Sequence, residues 1–176
     1  MRVVEISGLR LEPQTNFHAD EMFVVLSDPA IYEYENTPPE SLAWLRNRFV
    51  RLESRRSADG NEAWLNWVIR LPNHALIGYV QATVYADGRA AIAYILNSAH
   101  WGHGLARRSV QAMITELATH HQAQYFSAVL KRENFRSSGL LKRLGFTPAS
   151  AKQAISFGCE ADEIAYVLEC AEDLLE

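Results

Sequence analysis

Two stretches of the chain carry residue types at spacings that could do chemistry. In the first, Ala91-Ile92-Ala93-Tyr94-Ile95-Leu96-Asn97 leads into Trp101-Gly102-His103-Gly104-Leu105-Ala106-Arg107. The apolar run reads as a strand and the residues after the glycines as a helix start. Two glycines two apart let the backbone curl so that several N–H groups point at one spot, and the helix start adds the positive end of its dipole. Such a loop cradles an anion and suits a pyrophosphate, although a Gly-x-Gly pair alone also fits a plain tight turn. It does not continue as GxGxxG or GxxxxGK[ST], so neither a dinucleotide-binding fold nor a nucleotide-hydrolysing loop is indicated. The second stretch runs from Asn134 to Phe146. Here an amide and a hydroxyl three apart, Asn134 and Ser137, open a helix that stops at Leu144-Gly145-Phe146.

The elements that must position these residues alternate in type. Gly8 to Pro13 reads as a short strand, and Asn16 with Asp20 and Glu21 starts a helix through Met22 to Leu26, stopped by Ser27-Asp28-Pro29. Pro38-Pro39-Glu40-Ser41 opens a second helix with Leu42, Leu45, Phe49 and Leu52 at helical spacing. Arg48, Arg51 and Arg55 line another face of it, a solvated face in the simplest reading or a contact for an acidic partner. From Ala63 the period changes. Trp64 to Arg70, Leu76 to Ala86 and Arg89 to Asn97 form an antiparallel meander, with Asp87-Gly88 as a two-residue hairpin turn needing positive φ at both positions. A helix from Leu105 to His121, a strand from Tyr125 to Leu130, a helix from Asn134 to Leu144 and a strand pair within Phe146 to Leu168 follow. The order predicts a mixed α+β fold, with residues 1–176 as a single domain.

Composition excludes other classes. The 176 residues are 48% apolar and 22% charged, enough to bury one sizeable core. Seventeen Lys and Arg against 21 Asp and Glu give a net charge of −4, which argues against a sequence-independent nucleic-acid binder. No apolar run approaches the roughly 18 residues that span a bilayer. Glu5 interrupts any signal-like start, so the chain reads as soluble, unexported and cytoplasmic, with no membrane partner. Cys159 and Cys170, far apart and outside any metal-binding pattern, read as ordinary thiols. His18, His74, His100, His103, His120 and His121 show no metal-ligand spacing and read as exposed, so no metal is expected. Trp44, Trp64 and Trp67 read as core packing, or as walls of an acceptor pocket.

Taken together, the strand, the Trp101-Gly102-x-Gly104-x-Ala106 loop, and about 28 residues later Asn134-x-x-Ser137 and Leu144-Gly145-Phe146 resemble the GNAT superfamily of acetyl-CoA-dependent N-acetyltransferases. The similarity is greatest to the RimJ/RimL-like branch that acetylates the N-termini of ribosomal proteins. Leu9-Arg10-Leu11-Glu12-Pro13, Leu26-Ser27-Asp28-Pro29 and Asp162-x-x-x-Tyr166 extend it over nearly the whole chain. The resemblance implies a mostly antiparallel central sheet flanked by helices and splayed at the CoA-binding strands. It assigns the pyrophosphate of acetyl-CoA to Trp101, Gly102, His103, Gly104, Leu105 and Ala106, with Arg107 beside them. Ile95, Leu96 and Asn97 match the strand end that carries the pantetheine arm, and Asn134 the amide holding it from the opposite side. Ser137 lies near the thioester.

The implied activity is acetyl transfer to a primary amine, with a protein N-terminal α-amine as the expected acceptor and a small-molecule amine or a catalytically weak CoA-binding module as alternatives. An acidic overall balance suits basic ribosomal proteins. A monomer and a homodimer are both compatible. Ser137 is the first choice of proton donor to the departing thiolate and Tyr166 the second. No acidic residue stands out as a base, though Glu33 and Glu35 lie in the loop between the first two helices. Arg108 stands where the branch usually has an acidic residue, so it either strengthens phosphate contact or replaces a surface charge.

Overall fold

The computed structural model describes residues 1–34 and 36–169. Strands β1 (Val4–Ile6), β2 (Leu9–Pro13), β3 (Glu62–Arg70), β4 (Leu76–Tyr85), β5 (Arg89–Leu96), β6 (Tyr125–Lys131), β7 (Thr147–Pro148) and β8 (Glu163–Glu169) form one sheet in the order β1-β2-β3-β4-β5-β6-β8-β7. All neighbours are antiparallel except β5 and β6. The helices are α1 (Ala19–Val25), α2 (Leu42–Leu52), α3 (Leu105–His121), α4 (Phe135–Arg143) and α5 (Ala151–Ser156). This is the mixed, mostly antiparallel α+β architecture expected from the sequence.

The sheet has a core on each face. Trp67 and Val68, adjacent on β3 and both fully buried, point into opposite cores, as strand alternation requires. On one face Val110, Met113, Ile114 and Leu117 of α3 supply an i, i+3, i+4, i+7 stripe, all buried against the sheet. On the other, Leu45 and Phe49 of α2 meet Met22 and Val25 of α1. Helix α2 begins where the Ser41 hydroxyl accepts the Trp44 N–H at 3.0 Å.

Four local expectations are corrected. The β4–β5 turn has three residues, Ala86 to Gly88, and only Gly88 is left-handed, at φ 82°. Its N–H bonds to the Tyr85 carbonyl at 3.1 Å, so the glycine alone supplies the αL position and Asp87 needs none. Between β7 and β8 lies α5, set by a capping box in which the Ser150 hydroxyl accepts the Gln153 N–H and Gln153 Oε1 accepts the Ser150 N–H at 2.8 Å. Arg55 is not on a solvated helix face. It lies past the end of α2 in the left-handed region, half-buried, with its guanidinium donating to the Gln14 carbonyl. His18, His100 and His121 are half-buried rather than exposed, and His18 Nδ1 accepts the Thr15 N–H at 3.0 Å. Glu35 and Cys170 lie outside the described residues. Among those described, no helix is long and apolar enough to cross a membrane.

One departure from regular pairing makes the site. Strands β5 and β6 pair only from Arg89↔Tyr125 to Ala91↔Ser127 and then diverge. Opposite this opening, a Cβ at Gly78 of β4 would sit 2.0 Å from the Ile95 carbonyl oxygen, so the close approach of β4 to the end of β5 requires glycine.

Candidate functional site

The divergence of β5 from β6 leaves the last residues of β5 without a partner on that edge. The Asn97 N–H bonds back toward β4, to the Ile77 carbonyl at 2.9 Å. By alternation, the N–H groups of Tyr94 and Leu96 face the opposite edge, into the opening. The Leu96 carbonyl accepts the Trp101 indole N–H at 2.9 Å, which folds the following loop over the mouth of the cleft.

That loop is built as an anion cradle. Gly102 and Gly104 take φ of 78° and 71°, and a Cβ on either would meet nothing within 4 Å, so their backbone faces open space. The first N–H of the helix with an internal acceptor is that of Arg108, bonded to the Gly104 carbonyl at 3.1 Å. The six preceding N–H groups, Gly102 to Arg107, have no acceptor among the described residues. Six adjacent donors and the positive end of the 17-residue α3 favour a phosphate oxygen strongly.

The cleft has a volume of about 700 Å³. Ten of the twelve residues assigned to the cofactor line it: Ile95, Leu96, Trp101, Gly102, Gly104, Leu105, Ala106, Arg107, Asn134 and Ser137. The other two do not. Asn97 turns the corner after β5, its Oδ1 accepting the Ala99 N–H at 3.1 Å and its Nδ2 donating to the Val25 carbonyl at 3.4 Å. His103 is exposed between the glycines. Arg108 also points elsewhere, donating to the Ser7 carbonyl at 2.5 Å and tying the β1–β2 turn to α3.

The far wall is α4. Asn134 caps it, with Oδ1 accepting the Ser137 N–H at 3.1 Å, so its amide nitrogen remains to face the cleft. Arg136, Ser137, Leu140 and Arg143 line the same wall. Their i, i+1, i+4, i+7 spacing was legible in the sequence and marks Arg136 and Arg143 as further cleft residues. The Arg136 guanidinium lies 4.3 Å from the centre of the Trp101 ring and 3.3 Å from Glu33 Oε2, bridging the two sides of the cleft. Replacing Asn134 with alanine is expected to weaken CoA binding about tenfold and to lower stability by about 1 kcal/mol through the lost cap. Calorimetric titration and thermal unfolding would check both; an unchanged affinity would remove Asn134 from the cofactor wall.

Ser137 stands where this cleft meets a second chamber of about 240 Å³, being part of both walls, as are Tyr94 and Asn134. Its hydroxyl makes no hydrogen bond to any described residue. The Tyr94 hydroxyl donates to the Ser137 carbonyl at 3.4 Å, and burial pushes the Tyr94 pKa up to about 12, so it stays protonated. Tyr94 was not singled out from the sequence, because an aromatic on a strand reads as core. Tyr166 is placed differently from its expected role. It is 2% exposed, lines none of the chambers, and its hydroxyl pairs with Ser138 Oγ at 2.5 Å, so it holds α4 against β8. Glu33 is exposed and paired with Arg136. Among the described residues no carboxylate lines the cleft or the chambers beside it, and no group of three or more His, Cys, Asp or Glu could hold a metal ion.

Residues 8–147, well over half of the chain, match the family model of the acetyltransferase (GNAT) domain. The chain belongs to the GNAT acetyltransferase family. Acetyl-CoA is the cosubstrate of GNAT enzymes, and the glycine cradle joined to a splayed strand fits its pyrophosphate and arm. Solved GNAT structures share the fold along almost their whole length. RimL, a ribosomal L7/L12 α-N-protein acetyltransferase in complex with coenzyme A, is 19% identical, covering 95% of this chain and 97% of its own, with a TM-score of 0.78. Mycobacterium smegmatis RimJ in complex with a CoA disulfide is 20% identical over 99% and 90%, with a TM-score of 0.79. The ribosomal-protein-S5-alanine acetyltransferase of Vibrio fischeri is 17% identical over 97% of each chain, also with a TM-score of 0.79. No curated protein sequence matches.

Proposed function

We propose that this GNAT domain, spanning residues 1–176 and acting in the cytoplasm, transfers the acetyl group of acetyl-CoA to the α-amino group of a polypeptide. The observation that carries the reading is the continuity of the Gly102–Arg107 cradle, the open edge of β5 and the chamber beyond Ser137. The pyrophosphate rests on the cradle and the pantetheine arm along Tyr94 to Leu96, so the thioester comes to the junction. An amine entering from the second chamber attacks the thioester carbonyl carbon. The N–C bond forms as the C–S bond breaks, with the Tyr94 and Leu96 N–H groups directed at the developing oxyanion. The thiolate takes a proton from the Ser137 hydroxyl, the amine gives its own to water, and water returns a proton to Ser137, so that the serine is regenerated.

The absence of a carboxylate from the described walls favours an α-amine. Its ordinary pKa of about 8 lies far below that of a lysine at about 10.4, so it is often neutral without a strong base. The names of two similar structures, RimL and the S5-alanine enzyme, describe transfer to ribosomal proteins, which supports a protein acceptor.

The test is a competition. Peptides with free N-termini, lysine peptides blocked at the N-terminus and small amines are offered together with acetyl-CoA, and products are read by mass. Acetylation of the free N-termini at least tenfold ahead of the others is expected. Preference for the small amines would overturn the polypeptide reading, and tight CoA binding with no transfer would make the protein a binding module.

A further inference from the structure

The walls of the acceptor side carry a charge opposite to that of the chain as a whole. Beyond Ser137 the second chamber continues into a third of about 250 Å³, the two sharing Asn36, Arg48, Tyr79, Gln81 and Ile95. The one full charge among the described residues of both walls is the Arg48 guanidinium. Arg48 leans over the Trp44 ring, 5.6 Å from its centre, and makes no ion pair with a described residue. Arginines on this surface with a carboxylate in reach do pair, as Arg46 does with Asp20 at 2.7 Å. Gln14, only 4% exposed, forms part of the third chamber's wall, and its Nε2, closed off from the chamber itself, has no acceptor among the described residues, as is also true of Asn66 Nδ2 and Arg55 Nη1. The Tyr32 hydroxyl, also on this wall, donates to the Leu26 carbonyl at 2.6 Å and so offers no competing donor.

A chamber whose described walls carry one cation, the Arg48 guanidinium, and no carboxylate is complementary to an oxygen anion. We infer that the acceptor carries a carboxylate close to its reacting amine and that Arg48 selects for it. This rests on the transferase reading above and sharpens it: the favoured substrates are acidic N-termini, not the basic ones that a net charge of −4 suggests. Net charge governs approach at long range, whereas discrimination at the site follows the group facing the bound acceptor. The planar fork of the arginine meets a carboxylate with two parallel N–H donors, which a neutral side chain cannot return and a lysine side chain on the acceptor repels.

The test uses C-terminally amidated peptides with free N-termini that differ only at the second residue, Glu, Ala or Lys, with free glutamate as a separate arm. The wild-type protein is expected to acetylate the Glu peptide with kcat/KM about tenfold above the Lys peptide, tenfold being about 1.4 kcal/mol of differential binding. Arg48→Gln should bring the series to within about twofold, and Arg48→Glu should reverse its order, while the Ala peptide changes least. Arg48 is exposed, and thermal unfolding of both variants would confirm that they fold. Free glutamate preferred over the amidated peptides would support the carboxylate and move its source to the α-carboxyl group. Equal rates across the series, or an order that survives Arg48→Glu, would overturn the inference and leave acetyl transfer standing. Acetyl-CoA binding without transfer to any arm would overturn both.

Discussion

Valine in place of Gly104 is expected to raise the dissociation constant for CoA about 100-fold while leaving the protein folded. Gly104 sits at φ 71°, where a residue with a branched Cβ pays roughly 1–2 kcal/mol and escapes by changing φ. That change turns the N–H groups of residues 104 to 106 away from their common focus. Losing two charge-assisted bonds of about 1.5 kcal/mol each amounts to about 3 kcal/mol, or two powers of ten. A Cβ at this position meets no atom within 4 Å, so the core is untouched and the melting temperature should fall by only a few degrees. Calorimetric titration measures the effect; an affinity within twofold of wild type would show that the pyrophosphate lies elsewhere.

Ser137→Ala is expected to lower kcat about 100-fold with KM for acetyl-CoA little changed. A proton given to the departing thiolate matters in the transition state and hardly at all in the bound ground state, so its loss belongs in kcat. The backbone role of Ser137 survives the substitution, because Asn134 caps its N–H and Tyr94 bonds its carbonyl. A change confined to KM would make Ser137 a binding residue. Tyr94, protonated and at the same junction, would then take the donor's place ahead of Tyr166, whose hydroxyl is paired with Ser138.

Much of this was legible along the chain because it rests on local rules. Helix α3 follows from the spacing of its apolar stripe, the cradle from two glycines before a helix start, and the α4 cap from Asn134 three residues ahead of Ser137. The capping box of Ser150 and Gln153 is equally local. What escaped depends on chain segments that meet only in the fold. Whether Tyr166 reaches the cleft depends on β8 lying beside β6 under α4. Arg55 gives no sign in sequence that it turns inward to Gln14, 41 residues earlier. The walls of the acceptor chambers combine Gln14, just past β2, with Arg48 of α2 and Tyr79 of β4, and no periodicity links them.

The central claim, that acetyl-CoA lies on the cradle and along the open edge of β5, is tested most directly by following backbone amide resonances of the 19.9 kDa protein during titration with acetyl-CoA. The account predicts the largest shifts at Gly102 to Arg107, Tyr94 and Leu96, with smaller ones at Ser137 and little change in β1 or α5. Saturable binding that leaves the Gly102 to Arg107 amides unmoved would contradict it.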